Sequence, residues 1–172
     1  MTRRQVTLRT ADASHAPMLD ALIRANLELG HLLPRRLEEI QAHAHRFVIA
    51  LRGRRCVGCA DLAPLSHQIA EVRSLAVDSA ERGSGIGTRL VQELQRRARR
   101  EGFEKLCAFT HAPGYFVQMG FSIVPHLWVR EKVFTDCVSC PRFRQCGQYA
   151  VVMSLEAARE AQEAPAAAVV LA

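Results

Sequence analysis

A cluster of glycines behind an arginine is the feature of this sequence that most clearly indicates chemistry. The stretch ERGSGIGTRLV contains Arg82, Gly83, Gly85 and Gly87, so three glycines fall within five positions. Glycine is unfavourable inside regular structure and favoured where the backbone bends sharply or approaches a ligand closely. An amphipathic segment follows at once, and the unpaired N–H groups and the dipole at the start of a helix attract anions. The motif therefore predicts an anion-binding turn suited to phosphate.

The spacing within this turn excludes two common nucleotide-binding loops. A Walker A loop ends in Gly-Lys-Ser or Gly-Lys-Thr, whereas Gly87 is followed by Thr88 and Arg89. A dinucleotide fingerprint requires Gly-x-Gly-x-x-Gly, and neither glycine pair here has the third glycine. What remains is Arg-x-x-Gly-x-Gly, in which Arg82 adds a cation of two-pronged geometry. An ordinary glycine-rich turn between a strand and a helix is the alternative interpretation.

Hydrophobic periodicity predicts the elements that must position this turn. Alternating or continuously apolar runs predict strands at 5–11, 47–51, 56–65, 71–77, 105–110, 121–129 and 149–155. Helical spacing predicts a helix capped by Asp12 or Ser14 and ended by Gly30, and further helices at 34–44, 86–100 and 115–119. Strands flank helices without strict alternation, which favours a mixed α/β sheet. We expect one domain over 1–156 and a disordered, alanine-rich tail over 157–172.

Composition narrows the classes of partner. The chain has 172 residues and a net charge of +6, with several short arginine clusters. Aromatic residues make up only 6%, which argues against a stacking surface for single-stranded nucleic acid. The sequence contains neither a signal peptide nor an apolar run of membrane-spanning length. We therefore expect a cytoplasmic protein that binds neither nucleic acid nor membranes, and whose positive charge serves an anionic small molecule.

Two motifs resemble one enzyme superfamily. LAVDSAERGSGIGTRLV resembles the acetyl-CoA signature of the GNAT N-acetyltransferases, and YFVQMGF, at 115–121, is similar to their aromatic helix followed by Gly-Phe. The resemblance extends from the first strand to Leu155 and implies a mixed α/β sheet, splayed into a V, with helices on both faces. It also implies acetyl-CoA as the acetyl donor. The backbone expected to line the pantetheine arm is that of Leu75, Ala76 and Val77. The amides expected around the pyrophosphate are those of Arg82, Gly83, Ser84, Gly85, Ile86 and Gly87.

Acetyl transfer to an amine requires a base, because the amine must lose a proton before it attacks the thioester. Glu71 begins the strand that leads to the glycine turn, where GNAT enzymes often place a carboxylate that acts through water. Arg73 is two residues further on, so both side chains project from the same face of the strand. A neighbouring arginine would weaken Glu71 as a base unless it binds a substrate carboxylate instead. We predict that Glu71 is the catalytic base and that Arg73 binds the acceptor; a solvated glutamate at a strand end is the alternative for Glu71.

The remaining charges of the reaction also need partners. Backbone N–H groups of residues 75–77 are expected to stabilise the oxyanion. Many GNAT enzymes protonate the departing thiolate with a tyrosine at the position that Phe116 occupies here. Tyr115 is the neighbouring tyrosine, displaced by about 100° around the helix, and it is our candidate catalytic acid. Departure of the thiolate without a protein acid stays open.

The segment LWVREKVFTDCVSCPRFRQCGQYAVVMSL, together with EVRSLAV, resembles the short standalone N-acetylglutamate synthases of bacteria. These often end in K-V-W-x-D-C-x-x-C-P-x-F-x-x-C, and Phe134 replaces the tryptophan here. The resemblance implies direct transfer of acetyl to the α-amino group of L-glutamate in a ternary complex, the first step of arginine biosynthesis. We do not expect the amino acid kinase domain of the long enzymes, or arginine inhibition through it, in 172 residues. A dicarboxylate needs cations, and the predicted suppliers are Arg73, Lys132 and Arg130, of which the last two share a face if their segment is extended.

Two further functions stay open at this point. One is acetylation of another small amine or of a protein N-terminus, which the cations predicted at the acceptor site disfavour. The other is a non-catalytic acyl-CoA-binding module. Homodimer formation is compatible with the sequence.

The six cysteines form two groups. Cys56 and Cys59 lie in a predicted strand, and their odd separation places them on opposite faces, so we expect them, like Cys107, to be small apolar core residues. Three more lie in a turn-rich segment, namely Cys137, Cys140 and Cys146. A structural zinc site needs four ligands, and His126 is only a weak fourth, so we predict no metal. A zinc site and a redox-sensitive segment remain alternatives.

Overall fold

A seven-stranded mixed sheet forms the centre of the protein in the computed structural model, which describes residues 5–27 and 32–155. The expected helix end at Gly30 and the tail at 157–172 lie outside the described residues. The strand order is β1-β2-β3-β4-β5-β7-β6, and only β4 and β5 run parallel. The strands are β1 (Val6–Thr10), β2 (Phe47–Arg52), β3 (Arg55–Pro64), β4 (Ile69–Val77), β5 (Lys105–Thr110), β6 (Ser122–Val124) and β7 (Tyr149–Ser154). The predicted mixed α/β sheet is confirmed.

Helices cover both faces of the sheet. They are α1 (Ala16–Leu27), α2 (Leu37–Ala42), α3 (Ile86–Arg100), α4 (Pro113–Val117) and α5 (Arg130–Lys132), and a π-helical turn at Val133–Cys137 continues α5. Asp12 caps the turn that leads into α1, since its side chain accepts a hydrogen bond from the Ser14 amide at 2.9 Å. In the described part of the chain, no helix is long and apolar enough to cross a membrane.

The apolar stripe of α3 packs into the largest of three hydrophobic clusters among the described residues. Leu90, Leu94 and Ala98 recur at helical spacing and are fully buried against the sheet. On the opposite face, α1 packs a second core in which Leu19 and Ile23 are buried. Burying both faces fixes the register of the sheet. The sheet thus holds the ends of its central strands, where the site lies, in a rigid frame.

The sheet splits between its two parallel strands. The register between β4 and β5 contains only three pairs, from Ile69 opposite Lys105 to Glu71 opposite Cys107. Beyond Glu71, β4 continues to Val77 in partnership with β3 alone. An irregularity in the β3–β4 register accompanies the split, and Ser74 there has a φ of 48°, which is uncommon for a residue other than glycine. Residues 75–77 consequently present one unpaired backbone edge to the split.

Three sequence-based expectations were wrong in detail. The second helix begins at Leu37 rather than at Pro34. The segment 121–129 contains only the short strand β6, because Pro125 interrupts it and a helical turn follows at His126–Trp128. Cys56 and Cys59 pack against the same core rather than opposite ones, since the β2–β3 register shifts between them and offsets their odd spacing.

Candidate active site

The glycine turn leads directly into α3. Gly83 and Gly85 have φ angles of 74° and 79°, in the left-handed region that glycine adopts without steric cost, and space is open around both. Gly85 is the residue that precedes the first helical residue, and the Arg89 amide donates to the Gly85 carbonyl at 3.0 Å. The amides of the first turn lie before that bond and have no partner within the helix. The turn therefore offers backbone donors in an open, positively polarised position.

The side chain of Arg82 is held by α1. One of its Nη atoms donates to the Asn26 Oδ1 atom at 2.8 Å, and the Asn26 amide group in turn donates to the Leu22 carbonyl at 2.8 Å. Asn26 is buried although it is polar. The sequence analysis did not identify it, because an asparagine within an apolar helical stripe carries no local signal of its long-range partner.

Tyr115 lies against the first turn of α3. A Cβ atom on Gly87 would come within 2.8 Å of the Tyr115 hydroxyl, so this position has no room for a side chain. The hydroxyl is buried and has no hydrogen-bond partner among the described residues. Burial raises the pKa of Tyr115, against a lowering effect of the Thr88 side chain, so the group keeps its proton at neutral pH. Tyr115 thus borders the donor side and is not among the residues that line the acceptor cavity described below.

These features fit coenzyme A. A pyrophosphate needs several N–H donors and a cation, which the first turn of α3 and Arg82 supply. A pantetheine arm needs a backbone edge with free hydrogen-bonding groups, which residues 75–77 provide at the split between β4 and β5. The unsatisfied Tyr115 hydroxyl adjoins the same turn.

A cavity of about 640 Å³ opens at the other side of the split. Its walls come from the segment before α2, from β4 and from the segment 126–148. The cations at its surface are Arg35, Arg73 and Lys132, the carboxylates are Glu39, Glu71 and Asp136, and apolar contacts come mainly from Leu32, Leu33, Phe109, Leu127, Val133 and Phe143. A cavity of this size with convergent charges suits a small polar acceptor.

Four of these groups form one ion-pair network. Glu71 is buried and accepts hydrogen bonds from the Arg73 Nε atom and, at 3.0 Å, from the Lys132 Nζ atom. Asp136 accepts from an Arg73 Nη atom at 2.6 Å and from Lys132 at 2.8 Å. Two cations therefore bridge a buried carboxylate and one that is 41% exposed. The exposed end of the network is the end that a ligand can reach.

The electrostatics of the network favour its charged form. Although burial opposes charge on Arg73, the carboxylates of Glu71 and Asp136 raise its pKa above the usual value. Burial likewise opposes charge on Asp136, but Lys132 and Arg73 lower the pKa of this carboxyl below its usual value. These shifts keep both Arg73 and Asp136 charged at neutral pH, and Arg73 retains its charge for an incoming carboxylate.

The structure brings some predicted acceptor residues together and separates another. Glu71, Arg73 and Lys132 meet in the cavity as expected. The predicted shared face of Arg130 and Lys132 was wrong, because the segment is helical rather than extended and positions two apart on a helix diverge. Arg130 is exposed and is not among the cavity-lining residues.

Two cavity residues were missed by sequence analysis. Asp136 was noted only as a position of the cysteine-containing motif, and its spacing of four from Lys132 on a helix was the available signal. Arg35 belongs to one of the short arginine clusters, to which the sequence analysis assigned no individual role. Its place in the cavity depends on how α2 packs on the sheet, which no local pattern reveals.

The cysteines include two that are buried in the fold and three that line the acceptor cavity. Cys59 and Cys107 are fully buried, as predicted, and burial raises their thiol pKa values well above the usual one. Cys137, Cys140 and Cys146 are among the residues that line the acceptor cavity. Within residues 5–27 and 32–155, no group of three or more His, Cys, Asp or Glu side chains has the arrangement of a metal site.

Comparison with known proteins identifies the family. Residues 16–121 match the model of the acetyltransferase (GNAT) family. An uncharacterized N-acetyltransferase of Chlorobaculum tepidum is 29% identical over 148 residues, which are 86% of this chain and 96% of that protein. An amino-acid acetyltransferase of Pasteurella multocida is 31% identical over 119 residues, or 68% of this chain. Those residues are 27% of that relative, so the chain spans about a quarter of its length.

Among solved structures, the N-acetylglutamate synthase of Neisseria gonorrhoeae, complexed with coenzyme A and N-acetyl-glutamate, superposes with a TM-score of 0.76 at 27% identity. The match covers 88% of this chain and 35% of that one. The match to the family model agrees with the split sheet and with the glycine turn. The chain belongs to the GNAT family, and it is an N-acetyltransferase that uses acetyl-CoA as its acetyl donor.

Proposed function

We propose that the acceptor is L-glutamate, and that the enzyme produces N-acetyl-L-glutamate and coenzyme A as an N-acetylglutamate synthase at the start of arginine biosynthesis. The observation that supports this most directly is the set of three cations, Arg35, Arg73 and Lys132, that line one cavity beside the buried carboxylate of Glu71. An acceptor with two carboxylates and one amine needs this combination of charges. A polyamine or another acceptor without a carboxylate would leave these three cations without a ligand partner.

Arg73 and Lys132 are the proposed ligands of the acceptor carboxylates. Both currently donate to Asp136, whose carboxylate is partly exposed. A carboxylate of the acceptor would replace Asp136 in these contacts with little loss of hydrogen bonding. Arg35 lies at the opposite wall, where it is ion-paired with Glu39 of α2, and the second carboxylate would replace Glu39 in this pair.

Glu71 is the proposed general base. It lies at the last registered pair between β4 and β5, so it adjoins both the acceptor cavity and the backbone edge assigned to the pantetheine arm. In this role Glu71 takes a proton from the acceptor ammonium, directly or through one water, and the neutral amine attacks the thioester carbonyl. Backbone N–H groups of residues 75–77 are the proposed donors to the oxyanion.

Tyr115 is the proposed proton donor to the departing thiolate. Its raised pKa keeps the hydroxyl protonated, and its position beside the glycine turn places it on the donor side of the split. The proton gained by Glu71 leaves to solvent through the acceptor cavity. No covalent acetyl-enzyme is needed in this scheme, so both substrates are bound when the acetyl group moves.

The test is a coenzyme A release assay of the full chain against L-glutamate, D-glutamate, L-aspartate, L-glutamine, L-arginine and spermidine, with product identified by mass spectrometry. We expect kcat/KM for L-glutamate to exceed that for L-glutamine at least tenfold, because the lost carboxylate leaves a cation unpaired. Equal turnover of glutamine and glutamate, or preference for spermidine, would refute the glutamate assignment and leave the acetyltransferase activity standing.

A further inference from the structure

A second, smaller cavity lies behind the acceptor site. Its volume is about 80 Å³, and we call it the back chamber. Arg35, Glu39 and Arg73 line both cavities and so form the wall between them. The residues that line the back chamber alone are Ile40, His43, Arg46, Phe47 and Asp61.

Asp61 is the unusual group in the back chamber. Only 3% of the residue is exposed to solvent. Its Oδ1 atom has no hydrogen-bond partner in the described part of the chain. A buried carboxylate oxygen without a donor is costly, so natural proteins seldom retain one without a use. The scheme for acetyl transfer above does not use it.

Asp61 stands directly opposite Arg73. The two residues are paired in register across the antiparallel strands β3 and β4, which places their side chains on the same face as close neighbours. The Arg73 Nε atom and one Nη atom donate to Glu71 and Asp136 in the acceptor cavity. A guanidinium has five N–H donors in all, so Arg73 keeps others for the chamber side. The chamber is polar and has room for water, which can bridge such donors to Oδ1.

We propose that Asp61 is a positioning residue for acceptor binding, whose carboxylate, through water in the back chamber, holds the guanidinium groups of Arg73 and Arg35 at the wall of the acceptor cavity. The role of these arginines as acceptor ligands rests on the proposed function. The link between Asp61 and Arg73 does not, since it follows from the strand register and the shared chamber. Without the carboxylate, Arg73 stays bound to Glu71 and Asp136 and meets the acceptor in a less favourable geometry.

The charge of Asp61 is open to titration in a convenient range. Burial raises its pKa to about 6, against the lowering effects of Arg35, Arg73 and Arg46, while Glu71 adds to the increase. The titratable and charged groups that face it from the surrounding elements are Arg35, Glu39, His43, Arg46, Glu71 and Arg73. Burial, with the positive charge of Arg46, lowers the pKa of His43 below its usual value.

The kinetic arm of the test compares Asp61→Asn, which keeps shape and removes charge, with Glu38→Gln, which removes an exposed charge from α2 outside both cavities. The acceptor is the one with the highest kcat/KM in the panel above. We expect Asp61→Asn to raise the acceptor KM roughly tenfold at pH 7.5, as for the loss of one charge-assisted hydrogen bond, and to leave the acetyl-CoA KM unchanged. The wild-type acceptor KM should rise as pH falls through about 6, and this rise should be absent in the variant.

A second variant separates positioning from simple damage to the fold. Arg46 lines the chamber but not the acceptor cavity, and its charge lowers the pKa of Asp61. In Arg46→Gln, the rise in the acceptor KM on acidification should therefore occur at a higher pH than in the wild type. The proposal would be overturned if the acceptor KM of Arg46→Gln rose at the same pH as that of the wild type. It would also be overturned if Asp61→Asn raised the KM values for the acceptor and for acetyl-CoA equally.

The spectroscopic arm needs no acceptor. The Nε–H NMR signal of Arg73, assigned with Arg73→Lys, should titrate with a midpoint near pH 6 in the wild type and not in Asp61→Asn. If it titrates identically in both proteins, Asp61 does not position Arg73. If glutamate is not acetylated but this titration is lost in the variant, the proposed acceptor is wrong and the positioning role stands.

Discussion

Arg73 and Asp136 are joined by a hydrogen bond of 2.6 Å although 63 residues separate them in the sequence. This pair ties the central strand β4 to the helical segment that covers the acceptor cavity. It also occupies the cation that we assign to the acceptor, so binding and release of substrate both have to exchange the partner of Arg73.

The exchange makes Asp136 a competitor of the substrate. Asp136→Asn should lower the KM for glutamate roughly two- to fivefold, because a partly exposed ion pair contributes about 0.2–1 kcal/mol. Steady-state kinetics at saturating acetyl-CoA measure the effect. An increase in KM would mean that Asp136 positions the cations rather than competes for them.

Arg73 is expected to act on one substrate only. Arg73→Ala should raise the KM for glutamate roughly 10- to 100-fold, the range for loss of hydrogen bonds to a charged group. The KM for acetyl-CoA should change little. Arg36→Ala is the matched control, because its side chain is 84% exposed on the neighbouring surface. Equal effects of Arg73→Ala on both substrates would count against an acceptor ligand.

Glu71 should matter most where the amine is protonated. Glu71→Gln is expected to depress kcat about 10²- to 10⁴-fold near pH 7, with partial recovery as pH rises and free amine becomes available. A pH–rate profile from 6.5 to 10 provides the measurement. A constant loss across this range would indicate a structural role instead of proton abstraction.

Tyr115 should show opposite effects on stability and turnover. Its buried hydroxyl has no hydrogen-bond partner among the described residues, so Tyr115→Phe should stabilise the free enzyme by about 1 kcal/mol or more. As the proposed acid, the same hydroxyl should support kcat, and the variant should lose roughly tenfold or more. Thermal denaturation and kcat together decide the matter. Greater stability with full kcat would remove Tyr115 from the mechanism.

Asp61 should make the fold less stable as the pH rises. Its pKa of about 6 in the folded protein lies above the ordinary value of 3.8, so between these two pH values the folded protein holds a proton that the unfolded chain has lost. The stability gained from that proton is present below pH 3.8 and is lost by pH 6, a difference of roughly 3 kcal/mol at about 1.4 kcal/mol per pKa unit. Asp61→Asn should therefore unfold at a higher temperature than wild type at pH 7 and at nearly the same temperature near pH 4.

Paired thermal melts at these two pH values test this sign. Subtracting the variant from the wild type cancels the titration of the other carboxylates. A constant difference between the two proteins across this range would contradict the raised pKa.

Local signals predicted the donor side of the site well. The helix at 86–100 and the strand at 105–110 were predicted with the observed bounds, since Gly85 marks the helix start and the apolar stripe of α3 is regular. The glycine turn depends on consecutive residues, so its phosphate-binding character can be inferred without tertiary information.

The acceptor side depends on contacts that the sequence does not encode locally. Asp136 and Arg35 reach the cavity only through the packing of segments that are distant in the chain. Asp61 lies on β3, and its pKa is raised because the residue is buried beside α2. The alternation of apolar and polar residues along a strand does not predict an unpaired carboxylate inside a sheet. Arg130 was predicted in the site because an extended backbone was assumed where the chain is helical.

The division of the sheet between β4 and β5 also has a consequence for how this enzyme can be altered. The residues that we predict to bind the acetyl donor lie within 75–87 and are supported from α1, whereas much of the acceptor cavity wall belongs to the segment 126–148. The set of donor-binding residues and the set of acceptor-binding residues share hardly any side chains. A graft of 126–148 from another acetyltransferase should therefore change the acceptor preference while the acetyl donor is retained. The same separation would let selection alter the recognition of one substrate independently of the other.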